Sequence, residues 1–153
     1  MDSSQYILKE ILSEAELEVF LRLRYNCFYS SASRLFIKDN NNAIDINYYD
    51  RNSLHYGVYK WQKRKAEPIG YFRIVLERRT IADSWVRNIS ARAGLTAITN
   101  AKPPSVLPCL GIYPSKSLET EFYTGKAPGE NAGEVSRFFI VKGERSLKLS
   151  LRI

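Results

Sequence analysis

Apolar residues recur at helical spacing in one segment near the start of the chain, and an arginine shares their stripe. The stripe consists of Leu17, Phe20, Leu21, Arg24 and Phe28. Just before it, Ser13 and Glu16 have the spacing of a capping box, in which the serine hydroxyl accepts from the Glu16 amide and the glutamate reaches back. The pattern predicts a helix from about Ser13 to about Phe28.

Strands are indicated where apolar and polar residues alternate, or where β-branched and aromatic residues follow one another. The predicted strands are Tyr6–Leu8, Leu54–Tyr59, Ile69–Leu76, Glu134–Val141 and the alternating tail Leu147–Ile153. The polar segment from Gln62 to Pro68 predicts a hairpin loop between the second and third of these.

The remaining segments are rich in residues that form turns. Residues 38–53 are predicted to be loop, and a short helix is predicted around Ser84 to Ala93. Residues 101–133 hold five of the six prolines and predict an irregular loop, with one short helix near Ser117 to Phe122. Without a repeat or a linker, residues 1–153 are expected to form a single domain. The order of elements predicts an α/β (α+β) fold, in which helices flank a largely antiparallel sheet.

The net charge of +7 favours an anionic partner, such as nucleic acid, an anionic membrane, a phosphorylated cofactor or an acidic carrier protein. A protein that binds nucleic acid typically shows a continuous basic stripe with exposed aromatic residues. Here the charges are spread along the chain and several arginines stand within apolar strands, so no nucleic acid partner is expected. A non-catalytic basic binding module, for nucleic acid or an acidic protein, stays open as an alternative. No transmembrane segment or signal peptide is visible, and a cytoplasmic location is expected.

Metal binding and nucleophilic catalysis find little support in the sequence. Cys27 and Cys109 are far apart and His55 is the single histidine, so no metal site is predicted. Cys27, His55 and Asp50 are the residue types of a nucleophilic triad, but no motif surrounds them. Phosphate-loop and dinucleotide-binding motifs are also absent from the sequence.

Charged residues stand where the pattern predicts buried positions. Arg24 lies on the helix stripe and Arg73 lies inside the most apolar strand, where a charge needs a partner. The partner of Arg73 is expected to be Glu134, Asp45, Asp50 or the carboxylate of a substrate. The ordinary alternative for Arg24 is an aliphatic stem that carries the guanidinium out to solvent.

The last predicted strand begins with a glutamate and an arginine. Strict alternation puts Glu134, Ser136 and Phe138 on one face, and Val135, Arg137 and Phe139 on the other. The ordinary alternative is a charge pair on an exposed edge strand. Arginines and acids at apolar positions of several elements otherwise suggest one buried ionic cluster, of the kind that collects at functional sites.

Four motifs in this order resemble a known group of enzymes. They are Arg24-x-x-x-Phe28, then Asp45-x-x-x-x-Asp50 leading into Ser53 and His55, then Gly70-x-x-Arg73, and finally Glu134-x-Ser136-Arg137-Phe138. Their order and spacing resemble the acyl-homoserine-lactone (autoinducer) synthases. They are more similar to the long-chain N-acyl amino acid synthases and the exosortase-associated acyltransferases, because Asp50, Ser53 and His55 fit those two groups.

The resemblance implies a GNAT fold and an N-acyltransferase. It implies that the acyl chain arrives as a thioester of an acidic acyl carrier protein or of coenzyme A. This thioester would be a co-substrate, and no permanently bound cofactor is expected. The amine of an amino acid would attack the thioester carbonyl directly.

The resemblance also assigns roles to residues of this chain. The implied catalytic residues are Glu134, Arg137 and Ser136, with Glu134 as the base or the acid that positions it. The implied substrate-binding residues are Arg24, Phe28, Asp45, Asp50, His55 and Arg73. Arg24, Asp50, Arg73, Glu134 and Arg137 are therefore expected to surround one pocket.

Two features differ from the lactone synthases. Asn47 stands where those enzymes commonly carry an aspartate, and no tryptophan follows the Arg24–Phe28 motif at Arg34, Leu35 or Phe36. Both differences favour the amino acid synthases. Since the family's later helix and strands are not recognisable before Ile153, the chain is expected to hold only the N-terminal part of the domain, incomplete at its C-terminus.

Overall fold

The structure is a computed structural model that describes residues 5–31, 34, 37–103, 107–108 and 133–144. It has a mixed α/β fold with a four-stranded antiparallel sheet, which confirms the coarse fold class. The strands pair in the order β1–β2–β3–β4. The strands are β1 (Gln5–Glu10), β2 (Ser53–Gln62), β3 (Lys65–Leu76) and β4 (Gly133–Ile140), and the helices are α1 (Glu14–Tyr29), α2 (Ala82–Arg92) and α3 (Thr96–Asn100).

Helix α1 begins at the cap that the sequence predicts. The Glu16 amide donates to Ser13 Oγ at 3.3 Å. The carboxylate of Glu16 does not complete the capping box as predicted, because it binds Lys9 Nζ at 2.7 Å and the Tyr59 hydroxyl. The same helix therefore contacts both β1 and β2 through one side chain.

The predicted bounds of two loops are wrong, because parts of both segments form regular structure. The β2–β3 connection was expected to occupy Gln62 to Pro68, but it consists of Lys63 and Arg64 alone, with φ of 51° and 62°. Two residues with positive φ form the mirror-image turn that matches the twist of a hairpin, so both strands continue to the turn. Within the predicted loop 38–53, residues Tyr48–Asn52 form a 3₁₀ turn.

Some predictions concern segments outside the described residues. These are the helix near Ser117–Phe122, the tail strand Leu147–Ile153, Cys109 and most of the irregular loop 101–133. Helix α3, which follows α2, was not predicted because Thr96–Asn100 spans a single turn and carries no apolar repeat.

The fold divides into two compact units. Unit 1 consists of residues 1–45, 55–72 and 137–153, and unit 2 consists of residues 46–54 and 73–136. Strand β3 leaves the first unit after Phe72 and enters the second at Arg73. The expectation of a single domain stays a prediction.

Unit 1 is built on the β1–β2–β3 pairing and α1. Strand β1 pairs with β2 in antiparallel register, from Gln5 opposite Trp61 to Glu10 opposite Tyr56. The Phe20 ring of α1 lies 5.3 Å from the Tyr59 ring, edge to face, and 6.1 Å from the Tyr71 ring. This aromatic contact fixes one face of α1 against the hairpin.

Gly57 of β2 allows Phe20 to lie this close to the sheet. A Cβ at position 57 would stand 2.5 Å from Phe20 Cζ, and Phe20 is fully buried. We expect Gly57→Ala to lower the free energy of unfolding by about 1–3 kcal/mol, because the ring must leave a packed site. Gly143→Ala is the control, since among the described residues no atom beyond its chain neighbours lies within 4 Å of the added Cβ. Equal denaturant midpoints for the two variants would contradict this packing argument.

Unit 2 is held by polar contacts around the 3₁₀ turn. Arg51 of this turn donates from Nε to Asp83 Oδ1 of α2 at 2.7 Å, and from a terminal nitrogen to the Thr99 carbonyl of α3 at 3.1 Å. An apolar cluster of Tyr49, Val75 and Leu107 completes its core. One arginine therefore ties the turn to both short helices.

Candidate functional site

Arg24 is the centre of a buried network in unit 1. Its Nε lies 2.8 Å from Asp45 Oδ2, an ion pair rather than an aligned hydrogen bond, and both side chains are buried. Its terminal nitrogens donate to the Tyr71 hydroxyl at 3.0 Å and to the Asp45 carbonyl. The alternative in which the guanidinium reaches solvent is wrong, because Arg24 is 0% exposed.

The segment that carries Asp45 is fixed to α1 by its backbone. The Asp45 amide donates to the Leu21 carbonyl at 3.2 Å, one helical turn before Arg24. Farther out, Tyr25 donates its hydroxyl to Asp39 Oδ1 at 2.7 Å. These bonds hold the carboxylate of Asp45 beside the guanidinium in a place from which water is excluded.

Tyr71 extends the network to His55. The Tyr71 oxygen lies 2.7 Å from His55 Nδ1, and both side chains are buried. Because the guanidinium of Arg24 can only donate, the Tyr71 oxygen accepts from it, and the tautomer of His55 sets the direction of the bond to Nδ1. Tyr71 was not among the predicted site residues. The signal for it was a hydroxyl inside the most apolar strand, where a buried Tyr usually finds a partner.

Arg137 also approaches Asp45. Its Nε lies 3.8 Å from Asp45 Oδ2, and its guanidinium lies over the Phe28 ring, 5.5 Å from the centroid. The Phe28 ring packs edge to face on Phe139 at 5.7 Å. At 19%, the Arg137 side chain is the most exposed of the three predicted site arginines, since Arg24 is 0% and Arg73 is 2% exposed.

Arg137 changes the course of β4. Its φ of 57° is left-handed, a conformation that is uncommon for a residue other than glycine. The strict alternation that the sequence predicts is therefore wrong. The neighbouring side chains of Ser136 and Arg137 are both half-buried, whereas strict alternation would place them on opposite faces. The next side chain, Phe138, is exposed. A residue of this kind inside a strand is typical of a bulge that re-aims a side chain.

Arg73 is the centre of a second network, in unit 2. One of its terminal nitrogens lies 2.6 Å from Asp50 Oδ1 and 3.1 Å from Asn47 Oδ1, while its Nε donates to Ser136 Oγ at 2.9 Å. Asp50 is 0% and Arg73 2% exposed. Of the partners that the sequence allowed for Arg73, the structure selects Asp50.

Asp50 and Asn47 brace each other around the 3₁₀ turn. The Asn47 amide donates to Asp50 Oδ2 at 2.8 Å, and the Tyr49 amide donates to Asn47 Oδ1 at 3.0 Å. Asn47 therefore caps the turn in addition to its contact with Arg73. Both oxygens of Asp50 are engaged, one with backbone and one with Arg73, so its carboxylate is held in a fixed orientation.

Glu134 lies on β4 within unit 2, and its side chain is half-buried. Among the described strands, β4 pairs with β3 alone and ends the strand order. Its catalytic role stays a prediction.

The predicted site residues are brought together as two networks, one in each unit. Arg24, Asp45, His55 and Arg137 belong to the first, and Asp50, Arg73 and Ser136 to the second. One pocket shared by Arg24, Asp50, Arg73, Glu134 and Arg137 stays a prediction. In the ranges described, no group of three or more His, Cys, Asp or Glu side chains is placed to hold a metal ion.

Comparison with models of known families, with curated proteins and with solved structures finds no match to this chain. Within the described part of the chain, none of the helices has the length and apolar character needed to cross a bilayer.

Proposed function

We propose that the protein is an N-acyltransferase that moves a fatty acyl chain from a thioester of acyl carrier protein or coenzyme A to the amine of an amino acid. The observation that carries the proposal is the pairing of the four motifs by buried contacts. Arg24 of the first motif pairs with Asp45 of the second. Asp50 of the second pairs with Arg73 of the third, which donates to Ser136 of the fourth. Residues of separate motifs of the resemblance are thus mutual partners.

The reaction needs few protein groups. The amine nitrogen attacks the thioester carbonyl and forms the C–N bond. The C–S bond then breaks, and the sulfur takes up a proton and leaves as the free thiol. Glu134 takes the proton of the ammonium, directly or through a water molecule. No covalent intermediate on the protein is required, so a cysteine or serine nucleophile has no part in the proposal.

The transfer also needs a backbone N–H that holds the oxyanion developing on the thioester carbonyl. We assign this group to the part of β4 around Arg137, where the left-handed φ of 57° departs from regular strand geometry.

The exposure of the three arginines separates their proposed roles. Arg24 and Arg73 are buried and engage acids of the protein, so they position the site. The guanidinium of Arg137 remains partly exposed, so it is the arginine that a substrate carboxylate can reach. We therefore assign the carboxylate of the amino acid to Arg137, and to Arg24 and Arg73 the positioning of the acid that each of them binds within its own unit.

The direct test is a product assay. The purified protein is incubated with acyl carrier protein or coenzyme A thioesters of several chain lengths and with a mixture of amino acids, and the products are analysed by mass spectrometry. We expect an N-acyl amino acid together with one free thiol for each amide formed. An acyl-homoserine lactone, formed when S-adenosylmethionine is supplied, would instead identify a lactone synthase. A folded protein that releases no thiol with either donor would contradict the proposal and favour the non-catalytic binding module.

A further inference from the structure

Three arginines of unit 2 approach one aspartate at the start of α2. Arg51 Nε lies 2.7 Å from Asp83 Oδ1, and Arg79 lies 3.3 Å from the same oxygen. Arg87 contacts the other oxygen of the carboxylate. Arg87 stands four residues after Asp83, one turn along α2, and Arg79 reaches the same carboxylate from the segment that precedes the helix. We call Arg51, Arg79 and Arg87 the arginine triad.

Within the described ranges, Arg51 is the member of the triad that has hydrogen-bond partners besides Asp83. It is 11% exposed and also binds the Thr99 carbonyl and the Asn100 side chain. Arg79 and Arg87 are 53% and 59% exposed, and among the described residues each contacts the Asp83 carboxylate alone. A guanidinium has five N–H donors, so most donors of these two side chains point to solvent.

The triad carries more positive charge than the protein uses. Three guanidinium groups meet one carboxylate, which leaves a surplus of two positive charges among the described ion pairs. Burial and then repulsion from Arg51 lower the pKa of Arg79. For Asp83, burial raises the pKa, but hydrogen bonds from Arg51 and Arg87 outweigh it and lower the pKa overall. The carboxylate therefore stays ionised, yet it does not relieve the crowding of the cations.

The exposed ion pair of Glu18 and Arg22 on α1 differs from the triad in its ratio of cations to anions. Arg22 also follows an acid at a spacing of four residues, and its guanidinium binds Glu18 Oε1 at 2.8 Å. That pair is one cation to one anion. An arginine that merely stabilises a helix surface needs no second or third cation on the same carboxylate.

We propose that the arginine triad binds a dianionic phosphate monoester, held by the exposed guanidinium groups of Arg79 and Arg87. Phosphate carries about two negative charges near neutral pH, which equals the surplus of the triad. Its oxygens match the planar fork of arginine, so each exposed guanidinium can donate charge-assisted hydrogen bonds to it. The first turn of α2 adds a favourable field, although the Thr80 hydroxyl already accepts from the Ala82 amide at 3.2 Å. This proposal does not depend on the acyltransferase function.

Titration with inorganic phosphate at constant ionic strength tests the site. We expect saturable binding by calorimetry, with an affinity that falls roughly 10–100-fold in Arg79→Ala and likewise in Arg87→Ala, because each loses charge-assisted hydrogen bonds. Arg22→Ala is the matched control, since it removes an exposed helical arginine that has one acidic partner. Its affinity should equal that of the parent. Absence of saturable binding, or equal weakening in Arg22→Ala, would overturn the proposal.

Asp83→Asn is expected to change the affinity for phosphate in the opposite direction. Removal of the internal carboxylate raises the surplus to three charges, so phosphate should bind more tightly and should raise the melting temperature of this variant more than that of the parent. If Asp83→Asn does not fold, Arg79→Ala and Arg87→Ala still test the site. Both of these side chains are exposed, so their truncation should leave the fold intact. A folded Asp83→Asn protein that binds phosphate no better than the parent would overturn the proposal.

Two related ligands identify the source of the phosphate. Coenzyme A carries a 3′-phosphate monoester and dephospho-coenzyme A does not. If only coenzyme A loses affinity in Arg79→Ala, the triad recognises the 3′-phosphate of that cofactor. If Arg79→Ala leaves the affinities of both coenzyme A and dephospho-coenzyme A unchanged but weakens the binding of inorganic phosphate, the site accepts a different phosphate monoester. Both outcomes uphold the site, and neither requires acyl transfer to occur.

Discussion

Replacement of Glu134 by glutamine is expected to slow the proposed acyl transfer by roughly 10²–10⁴-fold, which is the usual contribution of a general base. Glutamine keeps the shape of the half-buried side chain on β4 and removes its charge. The loss should become smaller as the pH rises, because more of the amine then arrives without its proton. Rates measured across a pH series, with acyl donor and amine both saturating, give the comparison.

A structural role for Glu134 predicts a different result. If the carboxylate served only to neutralise a buried arginine, Glu134→Gln would lower the free energy of unfolding by about 3–5 kcal/mol. Its rate loss would then follow the fraction of unfolded protein and would not recover at high pH. Thermal melts beside the rate measurements separate the two roles. Glu67→Gln is the control, because Glu67 is an exposed acid on β3 and the same charge is removed there.

One combination of results removes Glu134 from the mechanism. A Glu134→Gln protein that melts like the parent and acylates amines at the parent rate has no need of this carboxylate. The proposed base would then be wrong, although the paired motifs would remain as a structural observation. Such a result would leave the phosphate site untouched, since neither Arg79 nor Arg87 takes part in the proposed transfer.

The elements of unit 1 could largely be predicted from the sequence because local patterns determine them. The stripe of α1 and its Ser13 cap are both local, and both are found. The β2–β3 turn was misjudged because Lys63 and Arg64 adopt positive φ without the glycine or asparagine that normally marks such a turn. The polar residues beside it, which suggested a loop, are exposed strand residues.

The networks show where sequence reasoning reached its limit. An arginine inside an apolar strand requires a partner, and this requirement correctly placed Arg73 in an ionic network. The choice of Asp50 depended on a 3₁₀ turn that aims its carboxylate, and no local pattern in residues 38–53 indicated that turn. Tyr71 was missed because an aromatic residue in a strand is ordinarily counted as core. The positive φ of Arg137 has no marker in the sequence at all.

The buried pair of Arg73 and Asp50 provides the largest expected effect on stability. Asp50→Ala should lower the free energy of unfolding by about 3–5 kcal/mol, because it leaves the guanidinium of Arg73 uncompensated in a place that is 2% exposed. The same change removes the acceptor of the Asn47 amide. Chemical denaturation of the variant and the parent measures the difference. Glu18→Ala, which breaks the exposed pair with Arg22, is the control and should cost less than about 1 kcal/mol.

A double-mutant cycle shows whether the two charges act as a pair. Arg73→Met alone leaves the carboxylate of Asp50 buried and uncompensated, so it should also be strongly destabilising. Asp50→Ala combined with Arg73→Met removes both charges, and the cost should be well below the sum of the single changes. The Asn47 amide remains without its acceptor, so some loss persists in the double variant. Additive losses, or a single-variant cost as small as that of Glu18→Ala, would mean that Arg73 and Asp50 do not depend on each other.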